Sequence, residues 1–140
     1  MGKYIRIVPY VIHEHDAKRA GHHLDFRIKF PNKNLAASWA IPKGEFPRTP
    51  GEKVLAVRTN DHGRYWLYID NLTIPDGEYG AGTVKIIQKG KAEVYGWSDK
   101  HITFVIKGSV ANGRYSIIKF SGRKEDKGNT WVLIKTKPKD

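Results

Sequence analysis

The residues best suited to chemistry lie near the N-terminus, in two short clusters. The first is His13-Glu14-His15-Asp16 and the second runs from His22 to Arg27. Side chains alternate between the two faces of a strand, so His23, Asp25 and Arg27 are predicted to share one face. The apolar residues between them share the other face. The second cluster therefore predicts an amphipathic strand that presents an imidazole, a carboxylate and a guanidinium together.

These residue types favour a metal site beside a phosphate site. The chain has no cysteine, so a metal must use imidazole and carboxylate groups, which suit divalent first-row ions. We expect His15, His23 and Asp25 to meet around one ion. Arg27 is always cationic and cannot be a ligand, but it can bind a phosphate on the same ion through two hydrogen bonds. His22 competes with His23, but only His23 shares a face with Asp25 and Arg27.

One more histidine lies in a comparable context. His62 follows a predicted strand, within the segment Asn60–Tyr65. Near neutral pH an imidazole can act as an acid or a base, or it can donate to a phosphate oxygen. We therefore treat His62 as a candidate catalytic residue.

The elements that must position these residues are short strands. Apolar and β-branched runs alternate with turn signals rich in Pro, Gly and Asn, one of them Lys89-Gly90. The predicted strands are 10–12, 24–30, 36–41, 54–59, 65–69, 83–88, 91–95, 101–106, 115–120 and 130–135. This pattern predicts a mainly all-β fold, a closed or nearly closed antiparallel β-barrel with one short helical turn at Asp16 to Gly21. We expect a single domain over residues 1–140, with a solvated loop from Gly122 to Asn129 and a frayed tail from Lys137.

Charge limits the class of partner. The 25 Lys and Arg residues exceed the 14 Asp and Glu residues, which gives a formal net charge of +11. Such a surplus favours polyanions such as nucleic acid. No segment has the length of a membrane span or the pattern of a signal peptide. We therefore expect a cytoplasmic protein without a membrane partner.

Five motifs in order resemble the 3′-phosphoesterase module of prokaryotic DNA ligase D. The resemblance extends from about Tyr10 to Lys135. The motifs are His15-Asp16-Ala17-Lys18-Arg19, His23-Leu24-Asp25-Phe26-Arg27, Ser38-Trp39-Ala40-Ile41-Pro42-Lys43-Gly44, Leu55-Ala56-Val57 with Asp61-His62, and Ile74-Pro75-Asp76-Gly77-Glu78-Tyr79-Gly80-Ala81-Gly82-Thr83-Val84.

The resemblance implies a crater-like site on a β-barrel, in which manganese, or another divalent transition metal, is held by His15, His23 and Asp25. It further implies that Arg27, His62 and a nearby tyrosine engage the phosphate. We take that tyrosine to be Tyr65, with Tyr68 in reserve. Further candidates for substrate binding are Lys43, His13, Arg19 and Lys53. Either Lys53 or Arg58 would substitute for a family arginine whose place is taken by Val54.

The activity implied is the healing of 3′ ends of DNA or RNA for repair by non-homologous end joining. A 3′-phosphate is removed to leave a 3′-OH, and in the family a 3′-terminal ribonucleoside is removed first. The expected partners are primer-template ends, with a ligase and a polymerase encoded separately.

Two other functions compete with this interpretation. The order His23-x-Asp25 followed by His62 is also that of a two-histidine, one-carboxylate iron oxygenase. A basic barrel that only binds nucleic acid, without catalysis, is the other alternative. The glycines from Gly77 to Gly82 do not form a P-loop, since no Gly-Lys-Ser/Thr follows them. We expect them to form a tight turn anchored by packing of Tyr79, and we expect Trp39 to lie in the core.

Overall fold

The computed structural model describes residues 6–120 and 129–138. Nine strands and one short 3₁₀ helix, Arg64–Tyr68, make up the regular structure of these residues. The strands are β1 (Arg6–Ala17), β2 (Gly21–Lys29), β3 (Leu35–Ile41), β4 (Lys53–Gly63), β5 (Leu72–Ile74), β6 (Gly82–Trp97), β7 (His101–Ile106), β8 (Gly113–Lys119) and β9 (Thr130–Thr136). No helix in the described residues is long and apolar enough to cross a membrane.

The strands form one antiparallel sheet that closes on itself. Their order is β1-β2-β3-β4-β9-β8-β7-β6-β5, and β1 also pairs with β6 along its whole length. Eight strands therefore form a ring, and β5 pairs with the beginning of β6 beside it. Closure leaves few unpaired backbone groups at sheet edges. The predicted all-β class is confirmed.

The main hydrophobic core fills the inside of the ring. Phe26 stacks between Trp39 and Phe104, and Phe104 stacks in turn on Tyr115. All four are 0–1% exposed, and burial of such a side chain stabilises the fold by about 1.5–3 kcal/mol. Trp39 is thus a core residue, as expected. Because β-strand side chains alternate, the intervening residues of β1, β2 and β3 face the outside of the ring.

The helical turn lies elsewhere than the sequence suggested. Asp16 to Gly21 is not helical, because β1 continues to Ala17 and a tight turn leads directly into β2. The helical turn is instead Arg64–Tyr68, where the sequence predicted a strand. Leu67 explains the change, since it packs on Val11 from the outer side of the sheet. The segment therefore crosses the sheet and does not pair with it.

Two other differences concern β5 and β6. The predicted turn at Lys89-Gly90 is wrong, because β6 runs through it and stays paired with β1. Gly90 lies against the ring of Tyr10 there, and a Cβ atom would make an ordinary contact with that ring at 3.5 Å. The three-residue strand β5 was not predicted. The loop predicted from Gly122 lies outside the described residues except for Asn129, as do the last two residues of the predicted tail.

Candidate metal and phosphate site

The polar face of β1 and β2 gathers most of the candidate residues. In the antiparallel register His15 lies opposite His23, and His13 lies opposite Asp25. Directly opposed residues share a face and have their side chains in reach of each other. Arg27 follows on the same face. The prediction that His23, Asp25 and Arg27 share one face of a strand is confirmed, but this face is largely buried because the chain from residue 64 onward covers it.

Three of these side chains converge closely enough to share one ion. Ligand atoms of His15, His23 and Asp25 all lie within 4.8 Å of one another. His15 Nδ1 is 3.2 Å from Asp25 Oδ2, and His23 Nε2 is 3.3 Å from Asp25 Oδ1. Within residues 6–120 and 129–138 this is the single group of three or more such residues.

Backbone carbonyls orient both imidazoles. His15 Nε2 donates to the carbonyl oxygen of Gly80 at 2.8 Å, and His23 Nδ1 donates to that of Gly21 at 3.3 Å. The other ring nitrogens, His15 Nδ1 and His23 Nε2, face the Asp25 carboxylate, where each either donates a proton to it or, in the neutral ring, offers a lone pair to a cation. A proton or a metal ion must lie between imidazole and carboxylate, because a lone pair and a carboxylate oxygen repel each other. Outer hydrogen bonds of this kind are typical of histidine metal ligands, so the donor set fits a divalent ion.

The pKa shifts reflect the same geometry. Burial alone would raise the pKa of Asp25, but the hydrogen bonds with His15 and His23 and the charge of Arg27 hold it well below its usual range. The hydrogen bond with Asp25 raises the pKa of His15, against the effect of burial. Asp25 is therefore an anion at any physiological pH. The negative charge beside His15 Nδ1 favours a positive charge there, either a proton or a metal ion.

Arg27 is held in place by three groups. Its NH1 group donates to His13 Nδ1 at 2.8 Å and lies 3.9 Å from Asp25 Oδ2, and its guanidinium stacks 4.9 Å from the centre of the Trp66 ring. The Nε group of Arg27 is buried and has no hydrogen-bond partner among the described residues. Arg27 thus keeps a donor free for an additional acceptor.

His13 acts as an acceptor for Arg27. Its Nε2 group donates to the Ile69 carbonyl at 2.7 Å, which leaves Nδ1 unprotonated. Burial, followed by the nearby charge of Arg27, lowers the pKa of His13 against the hydrogen bond to Ile69. The imidazole is therefore neutral at neutral pH. Its geometry supports Arg27 and leaves neither ring nitrogen for a substrate.

Trp66 belongs to the site and was missed at the level of sequence. Its ring contacts Arg27, and it makes edge-to-face contacts with His62 at 5.4 Å and His13 at 6.5 Å between ring centres. The sequence pointed to tyrosines after His62, whereas the residue that reaches Arg27 is a tryptophan four positions on. The 3₁₀ helix turns Trp66 towards Arg27, and the sequence pattern did not predict a helix at this place.

His62 lies beside this group. Ser38 Oγ is 3.1 Å from His62 Nδ1, and Ser38 lies opposite Arg27 in the sheet. Burial lowers the pKa of His62, and the charge of Arg27 lowers it further. His62 is not part of the group that converges on Asp25. The ligand set His23, Asp25 and His62, which an iron oxygenase would need, is therefore not formed by the described residues.

The two candidate tyrosines lie farther out. Tyr65 is 65% exposed, and its ring centre is 6.1 Å from that of Trp66. Tyr68 is also exposed and borders a groove with Lys89 and Lys91. Among the described residues, neither tyrosine hydrogen-bonds to or stacks on Arg27 or Asp25, so their roles stay predictions.

The remaining basic candidates lie outside the convergent group, on two turns and at the start of β4. Arg19 is exposed on the turn between β1 and β2, and Lys43 is exposed on the turn after β3, next to Gly44, which packs against His22. Lys53 begins β4 opposite Ile134 on β9, away from the convergent group. His22 itself is exposed and pairs with Glu14 at 3.1 Å, on the opposite side of the strand from His23.

Tyr79 does not anchor its loop, contrary to expectation. It is 100% exposed. The loop is held instead by its backbone, including the Gly80 carbonyl that binds His15. Gly80 has a φ of 78°, a conformation that favours glycine.

Comparison with known proteins agrees with this geometry. Residues 13–119 match the model of the DNA ligase D 3′-phosphoesterase domain. The multifunctional non-homologous end joining protein LigD of Pseudomonas aeruginosa is 32% identical over 136 residues, and that of Mycolicibacterium smegmatis is 33% identical over 139 residues. These matches cover 94% and 91% of the chain but only 15% and 17% of the two relatives. The chain thus corresponds to about a sixth of the length of these larger proteins.

Proposed function

The chain belongs to the DNA ligase D 3′-phosphoesterase domain family, and we propose that it is a metal-dependent hydrolase that removes phosphate from the 3′ ends of nucleic acid. One observation carries the proposal. Ligand atoms of His15, His23 and Asp25 lie within 4.8 Å of one another, on the same face of the sheet as Arg27. A cation site with an adjacent guanidinium suits a substrate that carries a phosphate.

His15, His23 and Asp25 would hold the ion, which we propose to be manganese. When bound, a divalent ion supplies Lewis-acid polarisation of the phosphoryl group and offsets part of its charge. Imidazole and carboxylate ligands do not select manganese over other first-row ions by affinity alone. We therefore expect other divalent transition metals to bind at the same three residues.

Arg27 would bind the phosphate. Its stacking on Trp66 and its hydrogen bond to His13 fix the plane of the guanidinium before a substrate arrives. The unpaired Nε group is one further donor for a phosphate oxygen. His13 and Trp66 are positioning residues in this account, because they act through Arg27.

His62 would act on the phosphate or on the leaving oxygen. In the reaction, water attacks phosphorus, the bond between phosphorus and the 3′ oxygen breaks, and a proton reaches that oxygen. The products are a 3′-OH and inorganic phosphate. With its lowered pKa, His62 is mainly neutral at pH 7, so it would serve as an N–H donor or pass on a proton and would not act as a permanent cation.

The wider context belongs to the same proposal. The net charge of +11 favours nucleic acid as the substrate. The relatives are non-homologous end joining proteins, which supports DNA ends in that pathway as the substrate of this chain. We further propose a cytoplasmic site of action and cooperation with a separate ligase and polymerase. Removal of a terminal ribonucleoside before the phosphate would be a second activity of the same site.

A primer-template duplex with a 3′-phosphate tests the proposal. Gel mobility should show phosphate release with manganese, no release in excess chelator, and recovery when manganese is restored. His23→Ala should abolish release, whereas the matched control His22→Ala should keep it, because His22 lies on the opposite face. Release in excess chelator, or by His23→Ala, would contradict the proposal. Tight duplex binding without release would favour a non-catalytic binding protein.

A further inference from the structure

The loop between β5 and β6 is fixed by its own backbone. Glu78 N donates to the Pro75 carbonyl at 3.2 Å, and Ala81 N donates to that of Glu78 at 3.1 Å. The loop is also tied to the turn after β1, because Lys18 N donates to the Ala81 carbonyl at 2.8 Å. This segment therefore presents its side chains from a defined position.

The same loop touches a candidate metal ligand. The Gly80 carbonyl accepts the hydrogen bond from His15 Nε2, and a Cβ atom at Gly80 would lie 3.4 Å from His15 Cε1. The backbone of Gly80 thus packs directly against the imidazole ring. Tyr79 immediately precedes Gly80 in the chain, so its Cα lies about 3.8 Å from that of Gly80.

Tyr79 is fully exposed in spite of this fixed setting. Its exposed fraction is 100%, whereas Tyr10 and Tyr115 are 2% and 1% exposed. A completely exposed ring adds no packing to the fold. Nearby Arg19, on the turn that is tied to the loop, forms no ion pair with any other described residue. An exposed aromatic ring is therefore attached one residue from the carbonyl that binds His15, and a free guanidinium lies on the turn that is tied to the same loop.

We infer that Tyr79 is a stacking subsite for the nucleobase of the 3′-terminal nucleotide, the nucleotide whose phosphate binds at His15, His23 and Asp25. The inference rests on the proposed function, because that function places the phosphate. Aromatic side chains stack on any base, since each base has a π-face, and such contacts need no sequence preference. Arg19 then faces the strand's phosphate backbone.

The binding test uses 2-aminopurine as the terminal base, because stacking quenches its fluorescence. The primer carries a non-hydrolysable 3′-phosphonate, so the complex does not turn over in manganese. Wild type and Tyr79→Phe should quench the terminal base, and Tyr79→Ala should not. Phe120→Ala is the matched control, since it removes another exposed aromatic from the end of β8. Equal quenching by Tyr79→Ala and wild type would overturn the inference.

The kinetic test compares a 3′-phosphate end that has a terminal base with one whose terminal nucleotide is abasic. Tyr79→Ala should raise KM about tenfold on the first, as loss of one stacking contact predicts, and should not change it on the second. An equal loss on both ends, or none on either, would overturn the inference while the proposed function stands. Quenching that depends on Tyr79, without phosphate release by wild type, would keep the subsite and reject the proposed reaction.

Discussion

Replacement of Arg27 by alanine should separate phosphate binding from metal binding. The guanidinium cannot coordinate a metal, and its NH1 group lies 3.9 Å from Asp25 Oδ2. Two unit charges about 4 Å apart interact by roughly 4 kcal/mol at an effective dielectric constant of 20. Arg27 therefore competes with a metal for the carboxylate, and its removal should keep or increase metal affinity.

The loss should appear in catalysis. Removal of one preorganised donor to a developing charge typically costs about 2.7–4 kcal/mol, or roughly a 10²- to 10³-fold lower rate. Arg27→Lys keeps the charge but loses the planar fork and the fixed stacking on Trp66. We expect its activity to lie between those of wild type and Arg27→Ala.

Calorimetric titration with manganese and initial rates on a 3′-phosphate primer together provide the assay. The rates should be measured well below the unfolding temperature of each variant. Arg27→Ala also loses the hydrogen bond to His13 and the contact with Trp66, so it is expected to be less stable. Metal affinity that falls as far in Arg27→Ala as in Asp25→Ala would refute the division into ligands and phosphate binder. Wild-type rates with intact metal binding would remove Arg27 from the reaction.

Three further predictions concern His62, Gly80 and His13. His62→Ala should slow hydrolysis of a 3′-phosphate primer more than that of an aryl phosphate whose leaving group needs no proton; equal losses would identify a phosphate-binding role instead, and full activity on both would exclude His62. Gly80→Ala should lower the free energy of unfolding in urea by about 1–2 kcal/mol, since alanine disfavours a φ of 78°. It should also lower manganese affinity, because its Cβ atom would lie 3.4 Å from His15 Cε1. Unchanged affinity would contradict the role of the Gly80 carbonyl. Burial holds the pKa of folded His13 below the ordinary imidazole value of about 6.5, so the unfolded state binds the extra proton and stability should fall as pH drops below that value. Urea midpoints at pH 7.5 and 5.5 should therefore differ more for the metal-free wild type than for His13→Gln, and an equal difference would contradict this.

The sequence allowed prediction of the strands that bear the site, because their chemistry and their periodicity coincide. Alternation along β2 placed Asp25 and Arg27 on one face and Phe26 in the core, and the structure confirms this placement. The closed ring also followed from many short runs joined by turns. These features depend on local pattern, which a single sequence contains.

The cover over the site could not be predicted in the same way. Residues 64–68 look like a strand by composition, and only the contact of Leu67 with Val11, distant in sequence, explains their 3₁₀ conformation. The inward position of Trp66 and the acceptor role of His13 follow from that cover, because the Ile69 carbonyl fixes the tautomer of His13. Gly90 shows the reverse error, since a glycine that suggested a turn instead lies within a continuous strand, opposite Tyr10 on β1.

Anomalous diffraction from a crystal grown with manganese and a 3′-phosphate oligonucleotide would test the central claim most directly. The account predicts one manganese peak bonded to His15 Nδ1, His23 Nε2 and the Asp25 carboxylate, with the 3′-phosphate between that peak and Arg27. A peak at other residues, with the His15, His23 and Asp25 group free of metal and the phosphate remote from Arg27, would contradict it.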